Sequence, residues 1–280
     1  TTTKDFITYS KQETAIPAKG GDPKEGWHSA WTGSVVTDSQ GISGIQNEEP
    51  VAYFTGLMDD GSQATHESLQ MLTLESEQGA QEILLTPHFY AHFDKISSFL
   101  ERREYSFRKL TKALNEHDMG TPLSLRKGAE VYYFPGIGDA KQIRELTIEG
   151  TDILLLEMPF AQWTDEIYVD VKKLIEKQKL TILLAHVERY DSFQKSRKIW
   201  NQIFKLPLYA QINTGGIDRH KKKRFIKKFL KLQVPLVLGS DCHNMKTRLP
   251  NLKQGRDSLR DIFGETLLAA IDKTEERLLK

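Results

Sequence analysis

The chain has little cysteine, no long hydrophobic run and no excess of charge of either sign. Its 280 residues include one cysteine, Cys242, which can form no internal disulfide, so we expect a reducing, cytoplasmic environment. No apolar run approaches the roughly 20 residues of a membrane helix, and we expect neither an integral membrane segment nor a secretory leader. Lysine and arginine number 39 and aspartate and glutamate 38, which gives no general electrostatic reason to bind nucleic acid. A soluble globular protein is the class that remains.

The first 50 residues are patterned differently from the rest. Only 13 of them are hydrophobic, against 39% for the whole chain, and 6 glycines accompany them. This composition predicts that residues 1–50 form a flexible or loosely attached extension, although Trp27 and Trp31 would allow part of it to dock. Residues 51–280 would then form the main domain.

From residue 51 onward, short apolar runs alternate with longer amphipathic segments. Repeated alternation of this kind predicts a parallel α/β sheet, either closed into a barrel or open and doubly wound. The predicted strands are Val51–Phe54, Glu82–Thr86, Ala129–Tyr133, Asp152–Glu157, Leu180–His186, Pro207–Asn213 and Val234–Gly239. The predicted helices are Thr65–Gln78, Lys95–His117, Thr164–Gln178, Asp191–Phe204 and Arg219–Leu232.

Acidic and histidine residues stand at or just after the C-terminal ends of these strands, where barrel active sites form. One such residue alone is commonly a helix cap or a locally hydrogen-bonded histidine. Four carboxylates at one mouth would repel one another, and divalent cations are the simplest compensation. The mixture of imidazole and carboxylate suits Mn, Fe or Zn better than Ca, and several carboxylates able to bridge predict more than one ion. The candidate ligands are Asp60, His88, Glu130, Glu157, His186, Asp241 and His243.

Two arginines accompany these candidate ligands. Arg189 follows His186 by three residues, and Arg248 follows the segment that contains Asp241 and His243. Guanidinium groups beside metals offer bidentate contacts to phosphate oxygens, whereas the competing interpretation is an ordinary ion pair. Metals together with arginines favour hydrolysis of a phosphoester over hydrolysis of an amide.

A basic segment lies at Arg219–Lys231. It holds 8 lysines and arginines, interleaved with apolar residues at helical spacing. The simpler interpretation is a surface helix with one core face and one solvated face. The functional interpretation is a peripheral contact with an acidic partner or an anionic lipid surface.

Six segments in order resemble one protein family. They are similar to the bacterial tyrosine phosphatases of the polymerase-and-histidinol-phosphatase (PHP) superfamily that act in capsular and exopolysaccharide biosynthesis, the CpsB/CapC-like proteins. The segments are Asp59-Asp60-Gly61, Thr86-Pro87-His88, Gly128–Tyr133, Leu156-Glu157, Ala185–Tyr190 and Ser240–Asn244.

The resemblance implies a distorted, TIM-like (β/α)7 PHP barrel with a three-metal centre, often manganese. It implies that the seven candidate ligands hold these metals, with Glu130 bridging, and that Arg189 and Arg248 hold phosphate. The implied substrate is the phosphotyrosine tail of a bacterial tyrosine autokinase. A metal-bridging hydroxide would attack phosphorus, and His186 or Asp241 would pass a proton to the leaving group.

One departure from the family pattern concerns the first strand. The family begins with His-x-His shortly before Asp-Asp-Gly, and Val51 and Tyr53 stand at those positions here. Three explanations compete: a reduced but working metal centre, a pseudo-phosphatase that only binds phosphotyrosine, or a corrupted sequence upstream of Phe54. His28 is a further, weaker candidate for the missing ligand.

Two other enzymatic interpretations stay open. Cys242 and Arg248 satisfy the Cys-x5-Arg spacing of cysteine phosphatases, but the segment lacks glycine and Asp241 would raise the thiol pKa. The same barrel mouth would also accept a small-molecule phosphoester.

Overall fold

The computed structural model describes residues 63–117, 123–215 and 219–279, together with four short strands nearer the N-terminus. The chain divides into two compact units, Thr1–His66 and Glu67–Lys280. In the first unit, β1 (Thr2–Thr3) pairs antiparallel with β2 (Tyr9–Ser10). The boundary that composition places at residue 50 stays a prediction.

The predicted first barrel strand, Val51–Phe54, differs from what the structure contains. β3 (Val35–Thr37) pairs antiparallel with β4 (Pro50–Ala52), and Val51 lies opposite Val36. Phe54 and the preceding Tyr53 lie outside the described residues. In its described part, this segment is therefore one strand of an antiparallel ladder and not of a parallel one.

The second unit alternates strands with helices along the chain. Its strands are β5 (Glu82–Leu85), β6 (His88–Phe89), β7 (Ser124–Lys127), β8 (Glu130–Tyr132), β9 (Ile153–Glu157), β10 (Thr181–Leu184), β11 (Tyr209–Asn213) and β12 (Leu236–Gly239). The helices are α1 (Gln63–Glu77), α2 (Ile96–Glu116), α3 (Asp165–Glu176), α4 (Lys198–Ile203), α5 (Arg219–Lys231), α6 (Leu252–Phe263) and α7 (Glu265–Leu278). None of these described helices is both long enough and apolar enough to cross a membrane.

Six of these strands form one parallel sheet in the order β12-β11-β10-β9-β8-β6, and β5 pairs in parallel with β7. The alternation seen in the sequence thus predicts the architecture correctly. β9 shows why: all five of its residues, Ile-Leu-Leu-Leu-Glu, are buried, as expected for a strand covered on both faces.

Two stretches depart from the predicted helices. The predicted helix Asp191–Phe204 is wrong as a single element, because the structure has a 3-10 helix at Val187–Phe193 followed by the short α4. Helices α6 and α7 were not among the predicted elements. They are separate because Gly264, at φ 82°, takes a backbone conformation that ends α6 and that glycine adopts without steric cost.

The core lies on both sides of the sheet and holds the strand ends in place. On one side, Ile153, Leu155, Leu183 and Val237 pack into a single buried cluster. Elsewhere Trp163 stacks on Trp200 with ring centroids 5.1 Å apart. Each such buried aromatic side chain contributes about 3–5 kcal/mol, judged by truncation to alanine. The strands that carry the candidate site are therefore supported by a well-packed core.

Candidate metal centre and arginine cluster

Three predicted ligands converge on neighbouring parallel strands. His88 begins β6 directly opposite Glu130, the first residue of β8, and Glu157 ends β9. One ligand atom from each of these three side chains lies within 4.8 Å of the others. Glu130 and Glu157 are 6% and 5% exposed, so their charges are largely shielded from water.

His186 completes this group from the turn that follows β10. Its Nε2 lies 2.9 Å from Glu130 Oε1 and 3.4 Å from Glu157 Oε1, and the residue is only 1% exposed. Its backbone has φ 29°, in the left-handed region that non-glycine residues rarely adopt. Such strain persists where surrounding structure fixes a side chain for a purpose, so it is consistent with a functional role for His186.

The electrostatics of this carboxylate–histidine cluster favour positive charge. Burial alone would lower the pKa of His186, but hydrogen bonds to Glu130 and Glu157 raise that pKa to about 9. His243 adjoins the cluster, because its Nε2 lies 3.3 Å from His88 Nε2. Two buried carboxylates thus draw a cationic partner toward them.

The donor set fits a divalent cation. Among the described residues, the buried atoms His88 Nδ1, Glu157 Oε2 and His186 Nδ1 have no hydrogen-bond partner. Buried polar atoms are almost always paired, so orphaned donors and acceptors on metal-ligating residue types point to coordination. His88, Glu130 and Glu157 would hold such an ion, and imidazole with carboxylate suits Mn, Fe or Zn.

The predicted ligand Asp241 lies in a second group, the arginine cluster, which consists of Arg189, Arg248 and Asp241. Both guanidinium groups contact Asp241 Oδ2, which also accepts a hydrogen bond from Asn213 Nδ2 at 2.7 Å. Burial would raise the pKa of Asp241, but the two arginines outweigh it and lower that pKa. The Asp241 backbone is also in the left-handed region, at φ 49°.

Beside the arginine cluster lies a cleft of about 490 Å³. The side chains of Arg189 and Arg248 are 36% and 35% exposed and help to line it. Two guanidinium groups that share one carboxylate leave a net positive charge facing this cleft. It can therefore accept an anion such as a phosphate group.

The structure brings five of the seven candidate ligands into one neighbourhood: His88, Glu130, Glu157, His186 and His243. Asp241 instead pairs with the arginines, although its Oδ1 lies 3.6 Å from His243 Nδ1. Asp60 lies outside the described residues, as do Tyr53 and His28.

Gln211 and Asn213 connect the two groups and were missed by sequence reasoning. Gln211 Oε1 accepts the backbone N–H of His186 at 3.0 Å, and Gln211 Nε2 donates to Asn213 Oδ1 at 3.0 Å. Asn213 in turn donates to Asp241. Two polar residues spaced i, i+2 at the end of an apolar strand were the available signal, since they share one face. Gly239 leaves room for this contact, because a Cβ there would lie 1.9 Å from Gln211 Nε2.

Cys242 is unsuited to be a nucleophile. The residue is half-buried, and burial, with Glu75 beside it, raises the pKa of the thiol to about 11. A thiol with that pKa is almost wholly protonated near neutral pH and therefore unreactive. The Cys-x5-Arg interpretation is thus disfavoured on physical grounds.

The fold and this pair of clusters define an α/β protein with a candidate metal centre beside an anion site. The chain belongs to the CpsB/CapC family of capsular polysaccharide synthesis, because the model of that family matches residues 53–278. The resemblance stated from six motifs is therefore confirmed at the level of the family.

Curated relatives and a solved structure agree with this membership. The chain is 26% identical over 222 residues to the tyrosine-protein phosphatase CpsB of Streptococcus pneumoniae, covering 74% of this chain and 87% of that protein. It is 24% identical over 230 residues to the tyrosine-protein phosphatase YwqE of Bacillus subtilis, covering 80% of this chain and 87% of that protein. A crystal structure from work on YwqE and CpsB, described as unique metal-dependent tyrosine phosphatases, matches with a TM-score of 0.64 at 23% identity. It covers 79% of this chain and 89% of that one. The expected parallel α/β fold is thereby confirmed.

Proposed function

We propose that this protein is a metal-dependent phosphoester hydrolase that acts on phosphotyrosine. The observation that carries the proposal is the junction of the carboxylate–histidine cluster with the arginine cluster through Gln211 and Asn213. A cation site and an anion site held side by side are what hydrolysis of a phosphoester requires. The relatives named tyrosine-protein phosphatases support a phenolic leaving group.

In this proposal each cluster has its own task. His88, Glu130 and Glu157 hold a divalent cation, and His186 and His243 extend the donor set to a second ion. Bound cations would supply charge neutralisation and a lowered pKa for water at the reacting phosphorus. Arg189 and Arg248 bind the phosphate oxygens, exchanging part of their contact with Asp241 for the substrate. Manganese is the ion that the family resemblance favours.

A proton for the departing phenolate would come from the chain. The candidate carriers are His186, whose pKa is raised, and Asp241, which contacts Arg189 and lies 3.6 Å from His243. Because the two arginines lower the pKa of Asp241, it would relay a proton rather than hold one. The phenolate is a good leaving group, so this contribution is smaller than that of the cations and arginines.

Two alternatives concern the same site. A pseudo-phosphatase that only holds phosphotyrosine would explain Val51 and Tyr53 in place of His-x-His, but the named relatives favour an active enzyme. A small-molecule phosphoester would meet the same cations and arginines, and substrate comparison separates it from a protein substrate.

The proposed physiological substrate is the phosphotyrosine tail of a bacterial tyrosine autokinase in the cytoplasm. The basic helix α5 offers a surface for peripheral contact. Its described cations include Lys223, Arg224, Lys227 and Lys231, which line a hollow of about 710 Å³. On the opposite face Phe229 is fully buried, so the helix presents its charge outward.

The proposal is tested by assaying the purified protein on phosphotyrosine peptides with added Mn²⁺. We expect phosphate release that a chelator abolishes, that Mn²⁺ restores and that a thiol-alkylating reagent leaves intact. Activity that survives chelation but is lost on alkylation would contradict the metal mechanism in favour of Cys242. No phosphate release at any Mn²⁺ concentration, with peptide binding retained, would instead establish the pseudo-phosphatase.

A further inference from the structure

Two exposed phenylalanines stand together beside the carboxylate–histidine cluster. Phe160 follows Glu157 by three residues on the segment that leaves β9, and Phe193 ends the 3-10 helix that also carries Arg189. They are 38% and 42% exposed, and their ring centroids lie 5.8 Å apart in an edge-to-face arrangement. Adjoining exposed apolar rings next to a cluster of charged residues are typical of a ligand-binding site.

Phe160 is aligned with the cluster itself. Its ring lies nearly parallel to the His186 imidazole, with an angle of 13° between the planes and 6.0 Å between the centroids. His186 in turn contacts Glu130 and Glu157. The exposed edge of Phe160 is therefore one ring away from the groups that would surround the reacting phosphorus.

Buried structure fixes this aromatic pair. The Phe160 centroid lies 5.3 Å from that of Tyr190, which is fully buried. The Met158 backbone N–H donates to the Tyr190 hydroxyl at 3.0 Å, which ties the segment before Phe160 to the 3-10 helix. Phe160 and Phe193 are thus held in position before any ligand arrives, so binding costs them little conformational entropy.

We infer that Phe160 and Phe193 form a binding subsite for the aromatic ring of the substrate's leaving group. This inference rests on the proposed function, which places the phosphate between the carboxylate–histidine cluster and Arg189. Phe193 lies on the same short helix as Arg189, and Phe160 stacks on His186, so both rings belong to segments that carry residues of the proposed phosphate site. An aromatic pair contributes about 0.5–1.5 kcal/mol beyond simple burial, which corresponds to roughly 2- to 13-fold in affinity.

A second aromatic group serves as an internal control. Phe93 is 69% exposed, more than Phe160, and its ring contacts His92 and Tyr90 at 4.0 and 6.3 Å. The Phe93 ring contacts Tyr90, which stacks on His88, whereas the Phe160 ring stacks directly on His186 of the cluster. Truncation of Phe93 therefore removes an exposed phenyl ring from a different segment of the chain.

The test compares two non-hydrolysable probes, phenylphosphonate and methylphosphonate, by calorimetric titration of the Mn²⁺-loaded protein. They carry the same phosphonate group and differ in the ring, so their affinity ratio isolates the subsite. We expect about a fivefold preference for phenylphosphonate in the wild type and in Phe93→Ala. We expect a ratio near one in Phe160→Ala, and recovery in Phe160→Tyr, which keeps the ring.

The outcomes separate this inference from the proposed function. A wild-type ratio near one, or a ratio that Phe160→Ala leaves unchanged, would overturn the aromatic subsite even if phosphotyrosine is hydrolysed. An equal loss in Phe93→Ala would also overturn it. Hydrolysis of phosphotyrosine is judged separately by phosphate release, so its failure is visible whatever the ratio. Thermal melts of each variant show that a changed ratio does not reflect unfolding.

Discussion

The carboxylate–histidine cluster and the arginine cluster lie side by side but carry opposite charge: buried carboxylates dominate the first and guanidinium groups the second. In the first, two buried carboxylates face imidazoles, and three buried nitrogen or oxygen atoms have no hydrogen-bond partner among the described residues, although His88 Nδ1 and Glu157 Oε2 lie 3.7 Å apart. In the second, two arginines and Asn213 saturate one oxygen of Asp241, with positive charge left over. The two carboxylates of the first cluster suit a cation, whereas the two arginines of the second cluster share a single carboxylate and so suit an anion.

The difference shows how neighbouring strands and loops of one sheet can place a candidate cation site beside a candidate anion site. The first residues of β6 and β8, the last residue of β9 and the turn after β10 supply the carboxylate–histidine cluster, while the segments after β10 and β12 supply the arginine cluster. His186 and Asp241, one in each cluster, both have a left-handed backbone. Because Gln211 and Asn213 join these two residues, the distance between the two clusters is fixed by the sheet.

The largest effect is expected from removing charge in the carboxylate–histidine cluster. Glu130→Gln keeps the size of the side chain but removes a cation ligand, and we expect about a 100-fold or greater loss of kcat/KM on phosphotyrosine peptides. Glu104→Gln is the matched control, since Glu104 forms an exposed ion pair with Lys127. Equal activity of Glu130→Gln and Glu104→Gln would contradict the role of Glu130 as a cation ligand.

A substitution in the arginine cluster should weaken substrate binding and leave metal binding unchanged. Arg189→Lys keeps the charge but loses the planar, bidentate geometry, so we expect KM for phosphotyrosine peptides to rise about 10- to 100-fold. The metal content should stay at the wild-type level, in contrast to Glu130→Gln. Loss of metal in Arg189→Lys would show that the two clusters are not functionally separate.

A carboxylate remote from both clusters provides a structural reference. Burial raises the pKa of Glu275 on α7 to about 7, and its Oε1 accepts the Leu238 backbone N–H at 2.7 Å. Because the folded-state pKa lies above the unfolded value, this group should destabilise the fold as pH rises from about 4.5 to about 7. The change in unfolding free energy should be on the order of 3 kcal/mol.

Glu275→Gln should remove that pH dependence and be more stable than the wild type at pH 8. Denaturant melts at a series of pH values, with chelator present to exclude metal effects, measure the difference. An unchanged pH profile would mean that Glu275 does not titrate in this range. Phosphatase activity should not depend on this residue, unlike the buried glutamates of the site.

The smallest effect is expected at the junction between the clusters. Gln211→Leu leaves the buried His186 N–H unpaired, which should cost about 1–2 kcal/mol of stability. Gln81→Leu, at an exposed position, is the control. A denaturation midpoint that is the same in the two variants would argue that the junction does not hold the clusters together.

Sequence reasoning brought together those residues whose positions follow from the pairing of neighbouring strands. Glu157 ends an apolar run and His88 and Glu130 stand at neighbouring strands, so parallel pairing places them together whatever else the chain does. The same rule does not specify which side chain pairs with which. Asp241 stays a predicted ligand, and its contacts with Arg189 and Arg248 were not predictable because these arginines reach it from a 3-10 helix and a loop whose paths depend on packing.

The errors in secondary structure have a similar cause. The region predicted as the helix Asp191–Phe204 has helical periodicity. However, a 3-10 helix begins after the sharp turn at His186 and includes the first residues of the predicted helix, so the α-helix starts later. Gln211 is polar within an apolar strand, and its role appears only once Gly239 on the adjacent strand leaves space for it. Such features arise between elements and are not visible in any single segment.

The central claim is that Glu130 and Glu157 hold divalent cations. Its most direct test is elemental analysis of the Mn²⁺-loaded, desalted protein beside the double variant Glu130→Gln/Glu157→Gln, with folding checked by circular dichroism. The account predicts two or more manganese ions per wild-type chain and at most one in the folded double variant. Equal metal content in the two proteins, or no retained metal in the wild type, would contradict it.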